Sequence, residues 1–489
     1  MAIRDIKSLY FGEASAEKEV SQNAERFFDT YLDVWDLAER AKANKFFLIL
    51  GPKGAGKTAA GNYIRFSLER LYGKSQVLST SRNMDELSPN ISQLTALTSK
   101  LVSQNTQGIT TDAWKLFIGV QLALLVKADS SSELGRYPEF IDLMRELEEA
   151  GLVAGDFPKV LRTVRENRLS FSARFLSHDS TKRKSDEISV SVLGGRLIER
   201  IISSQTDAHY LLMIDGLDRV IADNDAYWLS LASLLMAASD IHNRILAESA
   251  PIHLFVMCRS DVFRKVKFAD ADKIVGDSTI FIDWANQQTR VEDNHLWDYI
   301  AKKAEIQVSD IFDALPSYVE VGRRSNKGPK RIKPVDYLYS STRATPREMT
   351  MLMRQLQEVV PRGGGITSDR LRKAVDNFAS RDLLSILNAE SAGILSEVMR
   401  SRLSGVIGGL PRATSITKLD LEQSLRENDL DAGGAEGLAE YLFMAGLLGN
   451  YNAQTGYVQF YYRRDTYAFR RSGPWILHRG LAYAYNVPW

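Results

Sequence analysis

The run GPKGAGKT (Gly51–Thr58) sets three glycines, a lysine and a hydroxyl in the spacing G-x-x-x-x-G-K-[ST]. Such a set can hold a triphosphate. Gly51, Gly54 and Gly56 let the backbone turn sharply and aim its N–H groups inward, with Lys53 and Ala55 completing the loop. Lys57 can reach the β- and γ-phosphates, and the Thr58 hydroxyl can ligate Mg²⁺. A chance match to this spacing is expected roughly 0.02 times in a chain of this length. A nucleoside triphosphate and Mg²⁺ are therefore the expected ligands.

A second carboxylate-bearing run, YLLMIDGLDRV, begins at Tyr210. Five apolar or aromatic residues precede Asp215, as in a buried strand that delivers one acid at its C-terminal end. Asp215 is the expected metal-side acid. Many ATPases place Glu directly after it to orient the attacking water, but here that position is Gly216. The next acid, Asp218, is the candidate base; its alternative role is a helix N-cap. Arg259 closes the apolar run Leu254–Cys258 and could face a γ-phosphate or pair with Asp261. Arg347 lies in the first turn of a helix that Thr345, Pro346 and Glu348 mark as a capping box. It opposes the helix dipole there, which suits an arginine that serves an anion from elsewhere. The letters TKLD at Thr417–Asp420 fit a guanine-reading motif but follow no buried strand, so adenine, hence ATP, is expected.

The elements that must position these groups are legible in part. Phe46–Leu50 reads as a parallel strand buried on both faces, and AAGNYIRFSLERLYG as the helix after the loop, its dipole adding to the phosphate attraction. SQVLSTSRNMDEL holds a second strand. Between it and Asp215 the helical spacing of ISQLTALTSKLVSQ, DAWKLFIGVQLALLVKA, PEFIDLMRELEEAGLV and FPKVLRTVRENRLSFSARFL marks an insertion over 95–190. Val321–Pro334 reads as a loop with six Lys/Arg between Arg323 and Lys333. In the tail, the helix AEGLAEYLFMAGLLG runs into a β-hairpin, LLGNYNAQTGYVQFYYRR, the pattern of a winged helix. Its wing carries Tyr457, Phe460, Tyr461, Tyr462, Arg463, Arg464, Arg470 and Arg471, which could grip nucleic acid or dock a protein.

Composition bounds the alternatives. With 489 residues, 44% hydrophobic and 25% charged, the chain is expected to fold into several globular domains. Its net charge of +1 confines any nucleic-acid surface to a local patch. One cysteine, Cys258, excludes a disulfide framework and a Cys-based zinc site. The N-terminus lacks the apolar region of a signal peptide, and Leu116–Val126 is shorter than a membrane span, so a cytoplasmic protein without a membrane partner is expected.

In their order, the phosphate loop, the DGLD acid, strand–Arg259 and TPRE on a helix resemble the AAA+ and STAND class of P-loop ATPases. LYFGEASAEKE, IDWAN and the closing WILHRGLAYAY look like a bacterial subgroup of that class. The resemblance implies an α/β fold: a P-loop core with a parallel sheet, a large helical insertion, a helical lid and a C-terminal winged helix. On that plan 1–44 is a helical lead-in, 45–290 the ATPase core, 291–380 the lid with Arg347 on its sensor helix, and 381–489 the winged-helix-like domain. It also implies that nucleotide state sets domain closure or oligomerisation, with a homo-oligomer and a protein effector as partners, often in antiviral or stress-response modules. Gly216 leans toward a switch rather than a motor. A DNA-engaging initiator or loader using 323–333 and 457–471, and a nucleotide-binding scaffold with negligible hydrolysis, are the alternatives.

Overall fold

The computed structural model describes residues 5–84, 106–153, 157–172, 187–217, 225–285, 290–321, 330–391, 394–411, 415–463 and 467–485. The chain divides into two compact units, one comprising Trp35–Gly51 and Lys57–Phe281, the other Met1–Val34, Pro52–Gly56 and Ile282–Trp489.

In the first unit, β1 (Leu48–Gly51), β2 (Val77–Asn83), β5 (His209–Asp215), β6 (Ile252–Arg259) and β7 (Thr279–Phe281) form one parallel sheet in the order β2-β5-β6-β1-β7. The expected core class, α/β with a parallel sheet, is what the chain adopts. All eight residues of β6 are buried, as a central strand covered on both faces requires. β2 buries only Val77 and then alternates half-buried and exposed positions, as an edge strand does. The expected strand at Phe46 is shifted by two residues, although Phe47 O already accepts from Val256 N at 2.7 Å. The helix Lys57–Tyr72 buries Ala60, Gly61, Ile64 and Leu68 along one face. Gly61 lets the Met257 side chain lie close to the helix: a Cβ would sit 2.3 Å from Met257 Cε and oblige that side chain to move.

Helices Thr106–Ala128, Pro138–Glu149, Phe157–Glu166 and Val190–Ile202 follow β2. Thr106–Ala128 contains the one stretch, among the described residues, long and apolar enough to cross a membrane, and 72% of that window is buried inside the protein. Gly194 lets Val190–Ile202 cross it closely, since a Cβ would meet Leu116 N at 2.3 Å. The helical reading beyond Glu166 is corrected. Asn167 adopts φ 46°, a left-handed conformation that Asn tolerates and that ends a helix. The chain then enters β3 (Ser170–Ser172), antiparallel to β4 (Glu187–Ser189).

In the second unit, helix Pro346–Val359 presents positions 347, 350, 354 and 357 to the N-terminal segment. Arg347 Nε donates to Ala14 O at 3.1 Å, Thr350 Oγ1 to Phe11 O at 3.1 Å, and Gln357 Nε2 to Ile6 O and Leu9 O at 2.8 Å, while Arg354 pairs with Glu13 at 3.0 Å. Val321–Pro334 is not all loop: β8 (Val319–Val321) pairs with β9 (Lys330–Ile332), the β-branched residues Val319 and Ile332 facing each other. Helix Ala435–Met444 ends at Gly446, φ 73°, where Leu447 N donates back to Leu442 O. The strand β10 (Leu448–Tyr451) then lies between β11 (Val458–Phe460) and β12 (Trp475–Leu477), all antiparallel. This is the expected helix-then-hairpin element of winged-helix type. Thr417–Asp420 forms a reciprocal capping box on helix Lys418–Glu427, which accounts for those letters without a base.

Candidate nucleotide site

β6 lies between β1 and β5, so Gly51, Arg259 and Asp215 end three adjacent strands at one edge of the sheet. In open parallel sheets this C-terminal edge is where ligands bind. Lys57, 6% exposed, donates from Nζ to Gly51 O at 3.2 Å. Thr58 Oγ1 donates to Asp215 Oδ2 at 2.7 Å, and Gly216 N donates to Asp215 Oδ1 at 2.7 Å. Gly216 has φ 78°, which lets its N–H fold back onto the carboxylate. Arg259 forks onto Asp261, Nε to Oδ1 at 2.9 Å and Nη2 to Oδ2 at 2.6 Å. Burial pushes the Asp261 carboxyl up, but the Arg259 charge and hydrogen bonds, with Lys57 nearby, hold it below the ordinary carboxylate value.

The tip of the loop is held by its own unit. Gly54 and Gly56 have φ 82° and 96°. A Cβ on Gly54 would lie 3.3 Å from Thr345 Oγ1 and 3.4 Å from Arg347 Cβ, so the tip rests against the N-terminus of Pro346–Val359. Trp284 Nε1 donates to Ala55 O at 2.9 Å, and Asn294 Nδ2 donates to Trp284 O at 2.8 Å. Trp284 lies in the IDWAN run, but no spacing in the sequence assigns it to the loop.

The expected capping box on this helix is half formed. Thr345 accepts from Glu348 N at 3.3 Å, whereas the Glu348 carboxylate turns to Arg343, accepting from its N at 2.5 Å and its Nε at 2.6 Å. A buried guanidinium outcompetes a backbone amide for a buried carboxylate. Asp218 and Arg464 lie outside the described residues. Of the wing aromatics, Phe460 and Tyr461 are buried in the element's core, while Tyr457 is exposed.

The residues present fit Mg²⁺. Octahedral ligation at about 2.0–2.1 Å sets neighbouring ligand oxygens about 2.9 Å apart, and the Thr58 and Asp215 oxygens are 2.7 Å apart. Among the described residues no group of three or more His, Cys, Asp or Glu could hold a metal by itself; a Mg²⁺ shared with phosphates and water needs none.

No protein-family model matches the sequence, and no curated protein matches it. Among solved structures, that of the Aeropyrum pernix Orc1 protein in complex with DNA aligns over 94% of this chain and 93% of that chain, with 10% identity and a TM-score of 0.42. A likeness of this degree says nothing about what the chain binds or does.

Proposed function

We propose that the chain is a Mg²⁺- and ATP-binding P-loop ATPase of AAA+/STAND type, whose nucleotide state controls domain closure, oligomerisation or signalling to a partner. The observation that carries this reading is the pairing of Thr58 with Asp215 beside Lys57 at the sheet edge. In this reading the N–H groups of Gly51, Lys53, Gly54, Ala55 and Gly56 cradle the phosphates. Lys57 exchanges Gly51 O for β- and γ-oxygens, and Thr58 and Asp215 hold Mg²⁺. The metal would neutralise phosphate charge as it shifts. Asp218 serves as base. Arg259 and Arg347 report on the γ-phosphate, which requires Arg259 to exchange Asp261 for it. Titration of labelled ATP, with phosphate release followed in parallel, tests this. Lys57→Ala should weaken binding about 100-fold or more, the loss of charge-assisted bonds to two phosphates. Near-normal affinity in that variant would sink the reading.

A DNA-engaging second reading is supported by the helix–hairpin element, on which Tyr457, Arg470 and Arg471 are exposed. Asn450 holds that rim, its Oδ1 accepting from Arg470 N and its Nδ2 donating to Ala468 O, both at 2.9 Å. An Arg470→Glu/Arg471→Glu double variant should then lose duplex binding, and wild-type affinity should fall steeply with salt. Wild-type binding that the double variant keeps would remove the rim from DNA contact.

A further inference from the structure

Within the second unit lies a cavity of about 640 Å³ lined by six cations, Arg290, Lys330, Arg331, Lys333, Arg463 and Arg479. The one carboxylate in its lining is Asp336. One cation, Arg290, precedes helix His295–Ala304, three come from β9 and the residue after it, one from the segment after β11, and one from the residue after His478, which caps the helix Arg479–Ala484. The sequence marks the basic run up to Lys333 and Arg463 separately, but no spacing brings them together with Arg290 and Arg479, because the contributors are scattered from 290 to 479. The five other than Arg479 are exposed at the rim. Arg479 is 7% exposed, and its Nη1 donates to Ser340 Oγ, so its fork is already oriented toward the cavity it lines.

The charges are partly offset. Lys333 pairs with Glu292 at 2.8 Å and Arg331 with Glu320 at 3.5 Å. Both pairs are solvent-exposed, so they are weak and can be exchanged for a better anion. Burial above all disfavours the Arg479 charge, and Arg463 adds to that; burial and then Glu292 push the Asp336 carboxyl up. Like charges held together around a concave, partly enclosed space cost free energy that a bound anion returns. The volume is that of a pocket for one small ligand, roughly 300–1,000 Å³. A duplex groove is read by a helix or ribbon that protrudes into it, whereas the deepest cation here, Arg479, is buried at the floor of a cavity.

We propose that this cavity is a second anion site, distinct from the phosphate loop, that takes a compact, multiply phosphorylated small molecule. Arg479 binds one phosphate through its fork, and the rim cations close on the others. The site does not depend on the ATPase reading.

Isothermal titration of the full chain with inorganic tripolyphosphate tests it. Wild type should take two equivalents and Lys57→Ala one. In the Lys57→Ala background, Lys330→Gln/Arg331→Gln should weaken the remaining site about tenfold or more. Both rim residues are exposed, so melting should be unchanged. Arg479→Lys, which keeps the charge and loses the fork, should weaken it as well. Absence of binding in Lys57→Ala, or affinity untouched by the rim pair, would overturn the proposal. A parallel titration with a short mixed-sequence duplex and its single strand separates the other source of phosphate. If the rim pair removes oligonucleotide binding and leaves tripolyphosphate unaffected, the cations belong to a nucleic-acid track and the proposal falls.

Discussion

Trp284 holds a carbonyl that the phosphate loop cannot satisfy from within. Ala55 is buried, and its O accepts from the indole across 229 positions of sequence. Trp284→Phe keeps an aromatic ring, though a smaller one, and deletes the donor, leaving that carbonyl in need at a cost of about 1–3 kcal/mol. ATP affinity should fall several-fold although Lys57, Thr58 and Asp215 are intact, and titration of the variant checks it. Unchanged affinity would mean that the loop keeps its shape without the indole. This contrast also marks what was legible at the residue scale. Gly51–Thr58 can be read because a phosphate cradle depends on contiguous spacing. Asp215 can be read as a strand-end acid because a buried strand announces where it delivers its carboxylate, whereas its hydrogen bond with Thr58 is seen only in the structure. Trp284 and Arg479 could not be, because their partners are chosen by packing between distant segments.

At the scale of elements, the buried cluster around Arg343 ties helix Pro346–Val359 to its neighbours. Arg343 pairs with Glu348 at 2.6 Å and Glu390 at 2.7 Å, and its Nη1 donates to Ala445 O at 3.0 Å. Burial opposes the guanidinium charge, but the two carboxylates outweigh it and raise the Arg343 pKa. Arg343→Met would strand two buried carboxylates and should cost about 3–5 kcal/mol. Adding Glu390→Gln should cost less than the sum of the two single changes, since they share one cluster. Urea midpoints of the two singles and the double would show it; strict additivity would mean the groups do not act together. The same cluster explains why the capping-box letters were only half right: local pattern assigns Glu348 to the helix start, and a long-range cation takes it. Likewise β9 was hidden, because its lysine and arginine read as loop while pairing with β8 decides otherwise.

At the scale of the molecule, three buried histidines should govern acid stability. Burial is the first cause in each: His242 and His253 are held down to about 4 and His478 to about 3, with the His209 charge adding at His253 and Arg343 at His478. His478 shows how: Nδ1 accepts from Gly480 N at 3.2 Å, so Nε2 carries the proton given to Thr342 O at 3.1 Å. Each folded value lies below the ordinary 6.5, so the unfolded chain binds more protons in between. Stability should be full above that value and fall as pH drops toward 4, by on the order of 1 kcal/mol per pH unit for each histidine. Urea midpoints that stay level from neutral pH down to that range would contradict the buried, neutral assignment.

The second unit also contains a continuous route from the loop tip to the hairpin. Gly54 rests on Thr345, Thr345 caps Glu348 N, Glu348 holds Arg343, and Arg343 holds Ala445 O just before β10. A chain of contacts is only a route until a ligand at one end is seen to change the other. Arg347 is the place to cut the signal where it starts, because in the proposed reading its side chain reports on the γ-phosphate; its Cβ, which alanine keeps, lies against the Gly54 position, and its Nε donates to Ala14 O. Mg²⁺ and ATP should alter amide exchange at Ala445–Tyr451 in wild type. Arg347→Ala leaves the cradle whole, so ATP affinity should stay within about threefold, the worth of one lost hydrogen bond. The exchange response at Ala445–Tyr451 should nevertheless shrink or vanish. A variant that binds ATP and still transmits the full change would show that Arg347 is an ordinary anchor for the N-terminal segment, and that the route, if used, runs through Thr345 alone.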